Sequence, residues 1–223
     1  MSNLNRLIVA GCSNTYGEGL PDCREMHSPA SILGWPNQLA TLMGISTVIN
    51  LGIGGASNRH ISNSFLNKAG DDFFNTDTDV VVFLWSYFCR HCIFQNDGSV
   101  ERYLPSDIRT KNKRFEPIRY NKIKSWYKDY NTGVDQQLSN YTTISHTQHY
   151  LNSKGITNYN FTCETYEYTN IPTWFDSNTL KSIDVDTLGK QYGKADDNEH
   201  PGVIANMHIA KIMYKHITNG DFQ

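Results

Sequence analysis

The 223-residue sequence has no apolar run approaching the roughly 18 residues of a membrane helix, which argues against a membrane-embedded chain. It also lacks any dense tract of lysine or arginine. Its 20 basic residues stand against 22 acidic ones, a formal charge of −2. Nucleic-acid binders carry a basic footprint, so no such partner is expected. The N-terminus, MSNLNRLIVAGCSN, lacks the apolar stretch of a signal peptide, and the expectation is a soluble, cytoplasmic protein. Cysteine is scarce and odd in number: Cys12, Cys23, Cys89, Cys92 and Cys163. An odd count suits a reduced compartment better than a disulfide framework. Cys89 and Cys92 form a CxxC, but without a second pair it points to packing rather than to a zinc site. Internal repeats and low-complexity linkers are missing as well.

What is present is an alternation of apolar runs and helical stripes. Leu7–Ala10, Thr47–Leu51, Val80–Trp85 and Ile156–Thr162 read as buried strands. VVVFLW is continuous rather than alternating, which suits a central strand covered on both faces. Between the first two runs, Leu39, Leu42 and Met43 share a helical face, and Gly44 is a C-terminal stop. Between the second and third, Ile61, Phe65 and Leu66 recur at helical spacing, with Ser57 or Asn58 as cap. Ala205, Ile209, Ile212, Met213 and Ile217 form a stripe after Pro201. Strand, helix, strand, helix, strand predicts an α/β protein with a parallel sheet. Residues 1–223 read as one domain, with a helical and loop insertion at about 95–173, broken near Thr132–Gly133, that covers the active end of the sheet. The chain is rich in tyrosine, with 13. Such rings fill half-buried positions and also stack on sugars; Trp126, Tyr127, Tyr130 and Trp174 are candidates for a sugar-facing wall.

Three stretches carry groups that could do chemistry. In GCSNTYG, Ser13 follows the first strand directly, at the strand C-termini where ligands of open α/β sheets sit. A serine needs a base, and the base an orienting group. Alone, Ser13 reads as a turn residue. Of the eight histidines, His200 lies in DDNEHPG with Asp197 three residues before it. A carboxylate there can fix the imidazole tautomer while the other ring nitrogen faces the serine. A capping turn is the competing reading of that tetrapeptide. In NLGIGGASN a glycine-rich turn ends the second strand, and its N–H groups can stabilise a developing oxyanion. GIGGAS has neither a P-loop lysine nor the GxGxxG pattern.

In order and placement, these blocks together resemble the SGNH (GDSL-like) hydrolases. GCSNTYG resembles the first block, with Cys12 where aspartate is usual. NLGIGGAS resembles the second, and Asp197-Asn198-Glu199-His200 fits the DxxH of the last. The resemblance implies a flavodoxin-like three-layer sandwich with a mostly parallel central sheet. It implies Ser13 as nucleophile, Asp197 and His200 as its partners, and Gly55, or Gly54, in the oxyanion hole with the Ser13 N–H. The block after strand three departs: WSYFCRHC has no asparagine where the family has GxND. Ser86 or Asn58 would have to replace that donor, or two backbone N–H groups act alone. Arg90 is either a site for an anionic part of a substrate or a surface ion pair. The implied activity is hydrolysis of small acyl esters, acetyl groups on carbohydrate above all, with a small-molecule or glycan ester as partner. That chemistry needs no metal or cofactor. The competing readings are a glycan-binding module on the same scaffold and acyl transfer by the same triad.

Overall fold

The computed structural model describes residues 4–24, 28–70, 72–109, 117–164 and 171–220; His27 lies outside them. Five strands form one parallel sheet. They are β1 (Arg6–Gly11), β2 (Thr47–Asn50), β3 (Asp79–Trp85), β6 (Thr157–Thr162) and β7 (Leu180–Ser182), in the order β2-β1-β3-β6-β7. Parallel strands need long crossovers, and helices supply the first three: α2 (Trp35–Met43), α3 (Asn58–Lys68) and α6 (Gly133–Ser153). α7 (Val185–Tyr192) and α8 (Val203–Asn219) follow the last strand. Gly44 ends α2 at φ +70, and the Ser57 side chain caps α3 by accepting from His60 N.

Side chains alternate across the sheet, so each strand feeds both layers. Leu7, Val9, Val80, Val82 and Leu84 pack with Trp35, Leu39, Ile209 and Met213 on the α2, α7 and α8 side. Ile8, Ala10, Val81, Phe83 and Trp85 pack with Ile61, Phe65, Tyr141, Ile144 and Leu151 on the α3 and α6 side. All seven residues of β3 are buried. Burying one such side chain contributes about 1.5–3 kcal/mol, which makes this strand the centre of the sandwich. At its start the Arg6 Nε donates to Asp79 Oδ1 at 3.0 Å, tying the N-terminal ends of β1 and β3.

The expected insertion at 95–173 is too long at one end and too short at the other. α6 and β6 belong to the frame: α6 is a layer helix and β6 pairs with β3 along its whole length. They read as insertion because α6 buries only Asn140, Tyr141, Ile144, Thr147 and Leu151, a narrow and partly polar stripe. The segment that leaves the frame starts directly after β3. It forms an antiparallel hairpin, β4 (His91–Phe94) and β5 (Val100–Tyr103), then α4 (Pro105–Arg109) and α5 (Pro117–Ser125). α5 runs on into one wider helical turn, Trp126–Tyr130, and Thr132 caps α6, at the expected break. Among the described residues, no helix is long and apolar enough to cross a membrane.

Candidate active site

β1 ends in a short helix, α1 (Ser13–Tyr16), with Cys12 at its N-cap. Gly11 permits the turn, because a Cβ there would stand 2.6 Å from Leu84 O. Ser13 follows at the C-terminal rim of the sheet, 2% exposed, and its carbonyl accepts from Gly17 N at 2.9 Å. The loop after β2 rides over this helix. Asn50 Nδ2 donates to Thr15 O at 2.8 Å, and Ile53 N to Gly11 O at 3.0 Å. Gly52 is the loop residue in closest approach: a Cβ there would be 2.6 Å from Tyr16 N. Sequence reading passed over Gly52 and stopped at Gly54 and Gly55. Gly55 has φ +66, a left-handed backbone that favours glycine, and faces Arg102 and Leu104; the Gly54 carbonyl accepts from Arg102 Nη1.

The turn before α8 comes to the same rim. His200 Nδ1 and Asp197 Oδ2 are 2.6 Å apart. Asp197 Oδ1 also accepts from His200 N at 3.0 Å and Glu199 N at 2.9 Å. Burial works against the carboxylate charge, but these backbone donors and the imidazole hold the Asp197 carboxyl below its ordinary value. The turn closes through Ala195 N to His200 O at 2.8 Å, with Asn198 at φ +58. Asp196 N donates to Gly19 O at 3.1 Å, and any side chain on Gly19 would collide with the Asp197 carboxylate. The loop that follows Ser13 and the His-Asp turn are therefore in direct contact. A cavity of about 690 Å³ opens there, lined among others by Tyr16, Glu18, Gly54, Arg102 and Asp197. Arg102 had no signal in the sequence, because it sits on the unforeseen hairpin.

On the other side of Ser13 the polar groups close on one another. Asn58 Nδ2 donates to Ser86 O at 3.1 Å and to Asn140 Oδ1 at 2.7 Å, and Asn58 Oδ1 accepts from Ser86 N at 2.6 Å. Both amide hydrogens of Asn58 and the Ser86 N–H are thus committed inside the protein. The Ser86 hydroxyl accepts from Arg90 Nη1 at 3.1 Å and touches the Cys12 thiol. Arg90 lies over the Tyr87 ring at 4.8 Å and beside Cys12 and Cys163. Among the described residues it has no ion pair, so it is not a surface ion pair. The contact with Cys163 and the charge of Arg90 outweigh burial and hold the Cys12 thiol well below its ordinary range, while burial pushes Cys163 up. Burial also raises Glu164 to about 7, although it accepts from Phe88 N at 2.6 Å.

The aromatic candidates are dispersed. The single Tyr127 hydroxyl proton is shared between the carbonyls of Cys89 and Tyr103, both at 2.7 Å, so the residue is a structural post rather than a wall of the cavity at Arg102 and Asp197. Trp126 stacks on His91 at 4.1 Å. Tyr130 is exposed. Trp174, 55% exposed, borders a separate groove with Gln148, His149, Asn158 and Asp176 on the α6 flank.

No family model matches the chain, and no curated protein matches it. Solved structures do. The acetyl xylan esterase Est2A from the rumen bacterium Butyrivibrio proteoclasticus superposes with a TM-score of 0.58 at 11% identity, over 99% of this chain and 65% of that one. This chain thus spans just under two thirds of Est2A. A carbohydrate esterase described as having divergent catalytic and non-catalytic binding functions gives 0.52 at 12%, over 100% and 72%. The lipase Lip_vut3 from a goat rumen metagenome gives 0.51 at 13%, over 95% and 97%. At such identities the likeness is one of fold. The chain has the three-layer α/β fold of the SGNH/GDSL-like hydrolases.

Proposed function

We propose that the chain is an SGNH/GDSL-type carboxylic ester hydrolase. Ser13 Oγ attacks the ester carbonyl as His200 Nε2 takes its proton. Asp197, on Nδ1, holds the tautomer and stabilises the imidazolium. The C–O bond to the leaving alcohol breaks with the proton returned from His200, leaving an acyl-serine. Water, deprotonated by the same imidazole, then releases the acid and restores Ser13. The observation that carries this reading is the 2.6 Å His200–Asp197 pair on a turn bonded to the loop that follows Ser13. The oxyanion falls to backbone donors, Ser13 N–H and the glycine loop at Gly55 or Gly54. Small acyl esters, acetyl on carbohydrate above all, are the substrate class that the fold relatives support.

The commitment of Asn58 and Ser86 favours a second reading, a glycan-binding module that has lost turnover, since one missing oxyanion donor costs about 10²–10³ in kcat. Hydrolysis of p-nitrophenyl acetate decides between them. The esterase reading expects Ser13→Ala to lose about 10³-fold or more of kcat, with unchanged melting temperature. Equal rates for the two proteins leave the binding module.

A further inference from the structure

A second, smaller cavity of about 60 Å³ lies outside the catalytic rim, between β4, the turn after β3 and the first turns of α6. Its charged lining is Arg59, Arg90 and Asp135; Trp126, Gln136 and His91 also face it. The two guanidinium groups outnumber the one carboxylate, which is on an exposed residue. Neither arginine has an ion-pair partner among the described residues. Each is instead laid against a ring, Arg59 over Phe94 at 5.2 Å and Arg90 over Tyr87 at 4.8 Å. Arg90 gives Nη1 to Ser86 and also lies near Cys12 and Glu164; a guanidinium has five N–H donors.

Two neutral donors add to this. Trp126 Nε1 and Gln136 Nε2 are buried and have no hydrogen-bond partner among the described residues. A buried donor left unsatisfied costs about 1–3 kcal/mol, and two of them in the lining of one cavity ask for an acceptor. The indole is fixed in place by its stack on His91, at 4.1 Å and 17°. That imidazole is held toward its neutral form by burial and by Arg59, against Asp135. The residues lining the cavity are therefore rich in donors, with two guanidinium groups against Asp135 at its wall and Glu164 beside Arg90 behind it, and the space is of the size of a single anionic group.

We propose that this cavity binds a small oxyanion, the carboxylate, sulfate or phosphate group of a free ion or of an acidic sugar, between Arg59 and Arg90. Trp126 Nε1 and Gln136 Nε2 donate to it. Charge-assisted bonds to guanidinium are roughly twice as strong as neutral ones and fit planar or tetrahedral oxyanions. The binding stands apart from the esterase reading, although Arg90 links the cavity to Ser86 and Cys12, next to Ser13.

Isothermal titration calorimetry of the whole chain at low ionic strength tests it, with sodium sulfate, phosphate, acetate and glucuronate as probes and glucose as the neutral control. One saturable site with a Kd of about 1 mM or tighter is expected for at least one anion, and none for glucose. Arg59→Gln, at an exposed position, should weaken it about tenfold or more. Trp126→Phe keeps the ring and removes the N–H, and should weaken it about threefold. Ser13→Ala should bind the anion as the wild type does, so failure of the esterase reading leaves this one standing. Glucuronate binding more tightly than the inorganic ions supports an anion carried on a sugar; the reverse order supports a free ion. No saturable heat with any anion, or an affinity unchanged in Arg59→Gln, overturns the site.

Discussion

Two polar regions flank Ser13 and are built on opposite terms. The Asp197–His200 turn is held by backbone bonds but leaves its side chains partly open, 31% and 17% exposed. The Cys12, Ser86, Arg90, Cys163 and Glu164 nest is closed, and its groups answer one another. The same contrast appears in two carboxyls. Asp197 is held below its ordinary value by donors on its own turn, while burial raises Glu164 to about 7. The difference separates exchange from shape. The turn keeps the Asp197 carboxylate at the wall of the large cavity, whereas the groups at the strand ends are bonded to one another.

The largest effect that would break this contrast is chemical. Asp197→Asn should lower kcat for p-nitrophenyl acetate by about 10³–10⁴-fold with little change in KM; a loss under tenfold would deny the turn its role. The next effect is a pH profile of stability. The Glu164 carboxyl is raised from 4.5 to about 7, so its contribution is in place below 4.5 and is lost as pH rises through about 7. Asp197 has the opposite sign: its contribution is in place above 3.8 and is lost as pH falls through its lower native value. Between about pH 5 and pH 8 the wild type should lose on the order of 2 kcal/mol, about 4–8 °C in Tm, relative to Glu164→Gln. Parallel melting curves across that window would remove Glu164 from the buried side of the comparison.

Asn58→Ala tests how far the closed nest is a matter of shape. It removes the partners of Ser86 N and Asn140 Oδ1 and should cost about 2 kcal/mol in urea unfolding. If activity fell far more than stability, Asn58 would be acting on the substrate after all. The smallest expected effect is at the α3 cap: Ser57→Ala should cost about 1 kcal/mol, read by the same urea titration.

What could be read from the sequence follows the same division. β1 and β3 are apolar after their first residues, Arg6 and Asp79, and Gly11-Cys12-Ser13 and Asp197-x-x-His200 are local motifs, so strand ends and the His-Asp pair were legible. β6 reads TNYNFT and carries a weaker apolar signal, because Asn158 and Asn160 form a hydrogen-bonded chain to Asn152 and Trp85. The hairpin was missed although Asp97-Gly98 marks its turn, with Gly98 at φ +81, because HCIF and VERY are four residues long and mostly half-exposed. Gly52, Arg102 and the Cys12–Cys163 contact depend on residues far apart in the chain, and no local pattern encodes them. Asn58 was foreseen as a possible donor, but its bonds to Ser86 and Asn140 could not be.

The bond from Asp196 N to Gly19 O ties the loop after β1 to the turn before α8. This corner therefore closes only when elements far apart in the chain have both folded, so a lesion in either loop is transmitted to the other.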